Sequence, residues 1–217
     1  MVHELGLNNT IFNKFLSQIR DEKIQKDSLR FRRNLQRIGE IFAYEISKTF
    51  DYEEKDIITP LGTAKMKLPV QKPVLATILR AGLPLHQGLL NYFDDADNGF
   101  VSAYRKYENN EDFIIKLDYV STPTLEDRTL IISDPMLASG GSLVAALNGL
   151  LQKGKPKKIH IVTVLAAYEG IAKVKKQFSS KDVTLWTGKI DDELTTKAYI
   201  VPGLGDAGDL AFGVKDD

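Results

Sequence analysis

From residue 74 onward, short apolar runs alternate with segments of helical period, and this alternation restricts the chain to few architectures. Residues 74–79, 99–104, 129–133, 159–165 and 183–186 read as strands, and 83–93, 141–153 and 168–178 as helices. A strand that is apolar on both sides needs cover on both sides. The pattern therefore predicts βαβ units and a parallel sheet between helical layers. In such sheets ligands gather at the carboxyl ends of the strands. Three glycine-bearing loops hold the candidate chemistry, at 80–82, 134–142 and 199–209.

Upstream of residue 74 the character differs. Asp27 and Ser28 are placed to cap a helix running to about residue 50, with Phe31, Leu35, Ile38, Phe42 and Ile46 on one apolar face. Residues 56–68 read as strand, Pro60-Leu61-Gly62 turn and strand, a small hairpin arm. At 217 residues the chain suits a single domain over 1–217.

Composition removes several function classes. Lysine plus arginine and aspartate plus glutamate both number 29, so the formal charge is zero. A nucleic-acid or membrane-surface binder would usually carry a basic excess. The absence of cysteine excludes disulfides, thiolate nucleophiles and Cys-zinc sites. Only His3, His86 and His160 could offer imidazole, too few for a His-rich metal site. The first twenty residues carry no long apolar run, so neither a signal peptide nor a membrane span is expected, and the cytoplasm is the default location.

The sharpest signal is Leu130-Ile131-Ile132-Ser133 followed by Asp134-Pro135-Met136-Leu137-Ala138-Ser139-Gly140-Gly141-Ser142. A phosphate monoester needs several converging N–H donors and little side-chain bulk. Ala138, Ser139, Gly140, Gly141 and Ser142 supply main-chain N–H groups, two hydroxyls and a helix N-terminus. Asp134 stands where it can accept hydrogen bonds from ribose hydroxyls. The competing reading is a plain strand–turn–helix link with Ser139 as N-cap.

This segment resembles the motif that binds 5-phosphoribosyl 1-diphosphate (PRPP) in type I phosphoribosyltransferases. More narrowly, it resembles the uracil branch, which lacks the second acid that most relatives carry at the position of Pro135. Ile78-Leu79-Arg80-Ala81-Gly82 resembles that branch's pyrophosphate loop, whose entry peptide is often cis. Arg80 brings a planar fork suited to phosphate oxygens. Arg105 resembles a second PRPP-contacting arginine. Residues 106–127 match a flexible flap, with Lys116 as its lysine. Tyr199-Ile200-Val201-Pro202-Gly203-Leu204-Gly205-Asp206-Ala207-Gly208-Asp209 resembles the uracil-recognition motif.

Together these stretches span about residues 25–213. They imply a type I phosphoribosyltransferase fold: α/β, a twisted, mostly parallel sheet flanked by helices, a β-arm at 56–68 and a C-terminal base-binding hood at 188–217. The implied PRPP site is Arg80, Arg105, Asp134–Ser142 and Asp206. The implied uracil site is Ile200, Gly205, Asp206 and Ala207. Asp134, Arg80 and Asp206 are the candidate catalytic residues. Mg²⁺ is the implied cofactor, with no residue assigned as its direct ligand. PRPP and uracil are the implied partners, GTP a candidate effector and a homo-oligomer the implied assembly, with no nucleic acid and no membrane.

Two alternatives stay open. One is another nucleobase on the same fold. The other is a pyrimidine-responsive RNA-binding regulator, which the Asp134-Pro135 pair and the zero net charge disfavour. Two further motif matches fail on context. Gly203, Gly205 and Gly208 fit G-x-G-x-x-G, but no further strand and acid follow before Asp217. Residues 149–155 start like a P-loop, but Pro156 takes the place of its Ser or Thr.

Overall fold

Strands and helices form where the periodicities place them, and the strand order then decides where a ligand can sit. The computed structural model describes residues 1–107, 113–178 and 181–215; side chains within 104–116 are outside the described set. In chain order the elements are β1 (Val2–Glu4), α1 (Phe12–Arg20), α2 (Ser28–Ser47), β2 (Tyr52–Thr59), β3 (Gly62–Pro69), β4 (Val74–Leu79), α3 (Leu83–Leu90), β5 (Asp97–Tyr107) and β6 (Phe113–Ser121). They continue with β7 (Thr129–Ser133), β8 (Met136–Leu137), α4 (Gly141–Leu150), β9 (Lys158–Ala167), α5 (Tyr168–Gln177), β10 (Val183–Asp191), β11 (Glu193–Leu194), β12 (Ile200–Val201) and α6 (Ala207–Phe212).

The main sheet runs β1-β10-β9-β7-β4-β5-β6, with β8 added beside β9. All its pairings are parallel except β5 with β6. The chain leaves β4 in one direction, through α3 to β5. It leaves β7 in the other, through α4 and α5 to β9 and β10. The reversal falls between β4 and β7, which is where an open α/β sheet opens a crevice for ligands.

Period-two alternation on the central strands feeds two cores. Leu75 and Ile131 face α1, α2 and α3, together with Phe31, Leu35, Ile38, Phe42 and Ile46. Their neighbours Val74, Ala76, Leu130 and Ile132 face α4 and α5, with Leu143, Leu147, Ile171 and Val174. Both faces of β4 and β7 are thus dry, as their continuous apolar sequence requires. Asp27 caps α2, accepting from the Arg30 N–H at 3.0 Å.

Several elements differ from the expectation. The long helix ends at Ser47, three residues early, and the hairpin is longer than 56–68. The strand expected at 183–186 continues to Asp191, because Lys189, Ile190 and Asp191 stay paired with β9. In place of a single strand ending at 104, β5 runs to Tyr107 and pairs with β6 through the stretch expected as a flap. Residues 108–112 of that stretch lie outside the described residues. The polar N-terminus is also structured. Phe12, Leu16 and Ile19 bury one face of α1, and β1 extends the sheet beside β10.

Candidate functional site

The 134–142 loop is held to β9 by main-chain pairing. The Asp134 N–H donates to the Val162 carbonyl at 3.0 Å, and the Pro135 carbonyl accepts from Val164 N–H and Leu165 N–H at 2.9 and 3.0 Å. Met136 and Leu137 form the short strand β8 against Leu165 and Ala166. Their side chains pack into the two opposite cores, so toward the cleft they can offer only backbone.

Ser139 does not cap α4. The N-cap is Gly140, in the left-handed region at φ 79° and ψ 0°, and no side chain closes the helix end. A Cβ there would be strained and would lie 3.1 Å from the Gly170 carbonyl. The first N–H groups of a ten-residue helix are therefore left for another acceptor, as an anion site requires.

Asp134 follows the last residue of β7, and its Oδ1 accepts from the Met136 N–H at 3.3 Å. Burial pushes its carboxyl up to about 7; the Met136 bond opposes the rise, and the nearby Asp206 charge adds to it. A carboxylate in that state gains from any hydroxyl donor that binds beside it. Beneath it lies a buried hydroxyl pair. Thr77 donates to the Ser133 carbonyl at 3.0 Å, and the Ser133 hydroxyl lies 3.1 Å from that of Thr77. This pair ties the ends of β4 and β7 directly below the Arg80 loop.

Arg80 follows β4 on the same edge of the sheet. The cis peptide at the loop entry is Leu79–Arg80, one bond before Arg80–Ala81. The Arg80 Nη2 donates to Asp209 Oδ1 at 2.8 Å and to the Gly213 carbonyl at 2.7 Å. These two bonds can occupy both Nη2 hydrogens, which leaves Nε and Nη1 for a ligand. Asp209 belongs to α6, so the arginine joins the pyrophosphate-type loop to the C-terminal hood. Asp209 stands in the motif expected to read the base but had no assigned role, and its partnership with Arg80 was not expected; a second acid three residues after Asp206 was the available signal.

Within the hood, Asp206 is the N-cap of α6 and accepts from the Asp209 N–H at 2.9 Å. Its second oxygen lies 4.0 Å from Lys215 Nζ. Gly205 has φ 93°, and a Cβ built there meets nothing within 4 Å. Its open side is free for a ligand, while its backbone excludes other residues. Ile200 and Ala207 are 4% and 3% exposed and pack in the core with Leu204 and Ala211, so only their backbone can face a base.

The structure thus brings Asp134, Arg80 and Asp206 near one another beyond the carboxyl ends of β4 and β7. Arg105 and Lys116 lie on paired strands of the β5–β6 ribbon, but their side chains are outside the described residues. His86 and His160 are buried away from the motifs. His86 faces Asn98 at 2.8 Å, and His160 accepts from Trp186 Nε1 at 3.1 Å. Burial lowers the pKa of both, that of His160 to about 4. An apolar cleft lined by Met1, Ile171, Val174 and Phe178 lies at the opposite end of the strands. Lys175 is the one charged side chain among the described residues that line it.

The fold is that of the phosphoribosyltransferases. A hypoxanthine phosphoribosyltransferase from Staphylococcus aureus, 15% identical, aligns over 74% of each chain with a TM-score of 0.50. The AQ2163 protein of Aquifex aeolicus, 32% identical, aligns over 99% of each chain with a TM-score of 0.86. Residues 7–214 match the family model for uracil phosphoribosyltransferase. A uracil phosphoribosyltransferase of Porphyromonas gingivalis is 49% identical over 99% of both chains. The chain belongs to the uracil phosphoribosyltransferase family.

Proposed function

We propose that this chain joins uracil to the anomeric carbon of PRPP, releasing pyrophosphate and forming UMP in pyrimidine salvage. The observation that carries the reading is the meeting of an uncapped α4 N-terminus, Asp134 and Arg80 at the β4–β7 switch point, with the hood tied to Arg80 through Asp209.

The chemistry follows from those parts. The α4 N–H groups and the Ser139 and Ser142 hydroxyls take the 5′-phosphate. Asp134 accepts from the ribose hydroxyls and fixes the sugar. Arg80 turns Nε and Nη1 to the pyrophosphate and stabilises it as it leaves. Displacement at an anomeric carbon has a loose, cation-like transition state, so positioning and leaving-group stabilisation do most of the work. Arg105 is assigned to PRPP and residues 106–127 to a water-excluding flap on the family pattern. Main-chain groups of Ile200, Gly205, Asp206 and Ala207 read the uracil edge.

Mg²⁺ fits the donor set, because two carboxylates, Asp134 and Asp206, lie close enough for one to raise the pKa of the other. Among the described residues no cluster of three or more metal-type side chains occurs. PRPP and water would therefore supply most of the ligands, with Asp206 facing the ion. When bound, the ion neutralises pyrophosphate charge.

The assembly is read as a homo-oligomer, because β2 and β3 form a separate ribbon with Ile58 and Leu61 90% and 100% exposed. Two strands alone are marginal in water. Light scattering after gel filtration tests this. The cytoplasm is the proposed location, checked by cell fractionation. The central experiment is a base panel with PRPP and Mg²⁺, with and without GTP. UMP from uracil is the expected product. Turnover of hypoxanthine but not uracil overturns the reading.

A further inference from the structure

Asp191 is the last residue of β10 and is 5% exposed. A buried carboxylate is costly unless it is paired and hydrogen-bonded. Arg20, at the end of α1, provides a bidentate pair at 3.1 and 3.0 Å. The same Oδ2 that meets Arg20 also accepts the Gly203 N–H at 3.0 Å. Gly203 is buried and lies in the Pro202-Gly203 turn, between β12 and the Gly205-Asp206 run. Beyond Asp191 the chain goes out as β11 and returns as β12, with Leu194 opposite Ile200. The Asp191–Gly203 bond closes that ribbon at its base.

We propose that Asp191, held by Arg20, is the positioning residue for base recognition. This rests on the reading of 200–207 as the base-binding segment. Gly203 stands between Ile200 and Gly205, whose main chain reads the base, so its placement sets the reach of both. Arg20 and Asp191 act through the turn, by way of the Gly203 N–H bond. Among the described residues no main-chain pairing to the central sheet runs through Pro202 or Gly203, and the Asp191 carboxylate joins the turn to β10. The charged partner comes from a helix with no other role in the site. Arg20 ties α1 to the hood across 171 residues of sequence.

The test separates the two substrates. Arg20→Ala should raise KM for uracil by roughly tenfold, because the turn is displaced rather than a contact deleted. KM for PRPP should stay within about twofold, because the phosphate loop has its own main-chain supports. Arg20→Lys, which keeps the charge but not the fork, should recover part of the loss. It also covers the case in which Arg20→Ala does not fold. Equal rises in both KM values, or an unchanged uracil KM in a folded Arg20→Ala protein, overturn the proposal.

Hydrogen exchange in the wild-type protein gives an independent check. The Gly203 amide should be strongly protected, and exchange as fast as that of an exposed loop amide overturns the clamp. Wild-type turnover of uracil tests the function itself. If uracil is not a substrate the functional reading fails, whereas amide protection still reports whether the clamp exists.

Discussion

Asp134 and Asp206 are both short acids near each other, yet they are held there by different means. The loop of Asp134 is locked by main-chain bonds to β9, a strand directly beside it in the sheet. The segment of Asp206 is held by side chains from far away in sequence. Arg20 reaches Asp191 across 171 residues, Arg32 donates to the Ala211 carbonyl across 179, and Arg80 meets Asp209 across 129. A loop held by its backbone tolerates distant side-chain loss. A hood held by side chains does not, and that asymmetry can be measured.

The largest expected effect comes from Gly205. Gly205→Val strains a backbone at φ 93° and fills the open side, so kcat/KM should fall by about a hundredfold or more for every base. Steady-state rates with a base panel check this, and retention of uracil turnover would refute the idea that the open side faces the base. On the phosphate side, Asp134→Asn should weaken PRPP use by roughly ten- to a hundredfold, the worth of a charge-assisted hydrogen bond. An unchanged dependence of rate on PRPP would remove Asp134 from the ribose contact.

Asp209→Ala probes the seam between the two regions. Removing the charged partner of Arg80, while the Gly213 carbonyl bond remains, should raise KM for PRPP and for uracil together, by roughly fivefold each, as for a lost partly exposed charged hydrogen bond. A change confined to uracil would show that the Arg80–Asp209 pair serves only the hood.

The smallest effect concerns stability. The Asp134 carboxyl is raised from 3.8 to about 7 in the folded state, so folding favours its protonated form. Stability from this group is present at pH 4 and is lost as pH rises through about 7. Asp134 is half-buried, and Asp134→Asn removes the cost of holding a charge there. The variant should be more stable than wild type at pH 8, on the order of 2 kcal/mol or about 4–8 °C in Tm, and little different at pH 4. Thermal melts at both pH values check the sign; equal shifts would place the carboxyl in contact with water.

Legibility in the sequence divides along the same line. The strand ending at Leu79, the strand ending at Ser133 and α4 were readable because each is a local apolar pattern closed by a glycine-bearing turn. The extra residues of β10 were not, because Lys189 and Asp191 look like loop until Lys189 pairs with Glu4 at 2.7 Å and Asp191 with Arg20. The helix α1 was missed although Phe12, Leu16 and Ile19 recur at helical spacing, because it runs only nine residues and no side-chain cap marks its start.

By itself, then, the order of residues determined the alternation of strands and helices, the two faces of α2, and the identity of Asp134, Arg80 and Gly205 as candidates. The first two are local properties, set by period and side-chain type, while the three candidates stand in motifs that resemble a known family's. Only the tertiary structure decided that β4 and β7 are neighbours at the reversal of strand order, that Gly140 rather than Ser139 is the N-cap of α4, and that Ile200 points into the core. It alone paired Arg20 with Asp191 and Arg80 with Asp209. Such pairs depend on how layers pack, and no local pattern encodes which buried charge will meet which partner more than a hundred residues away.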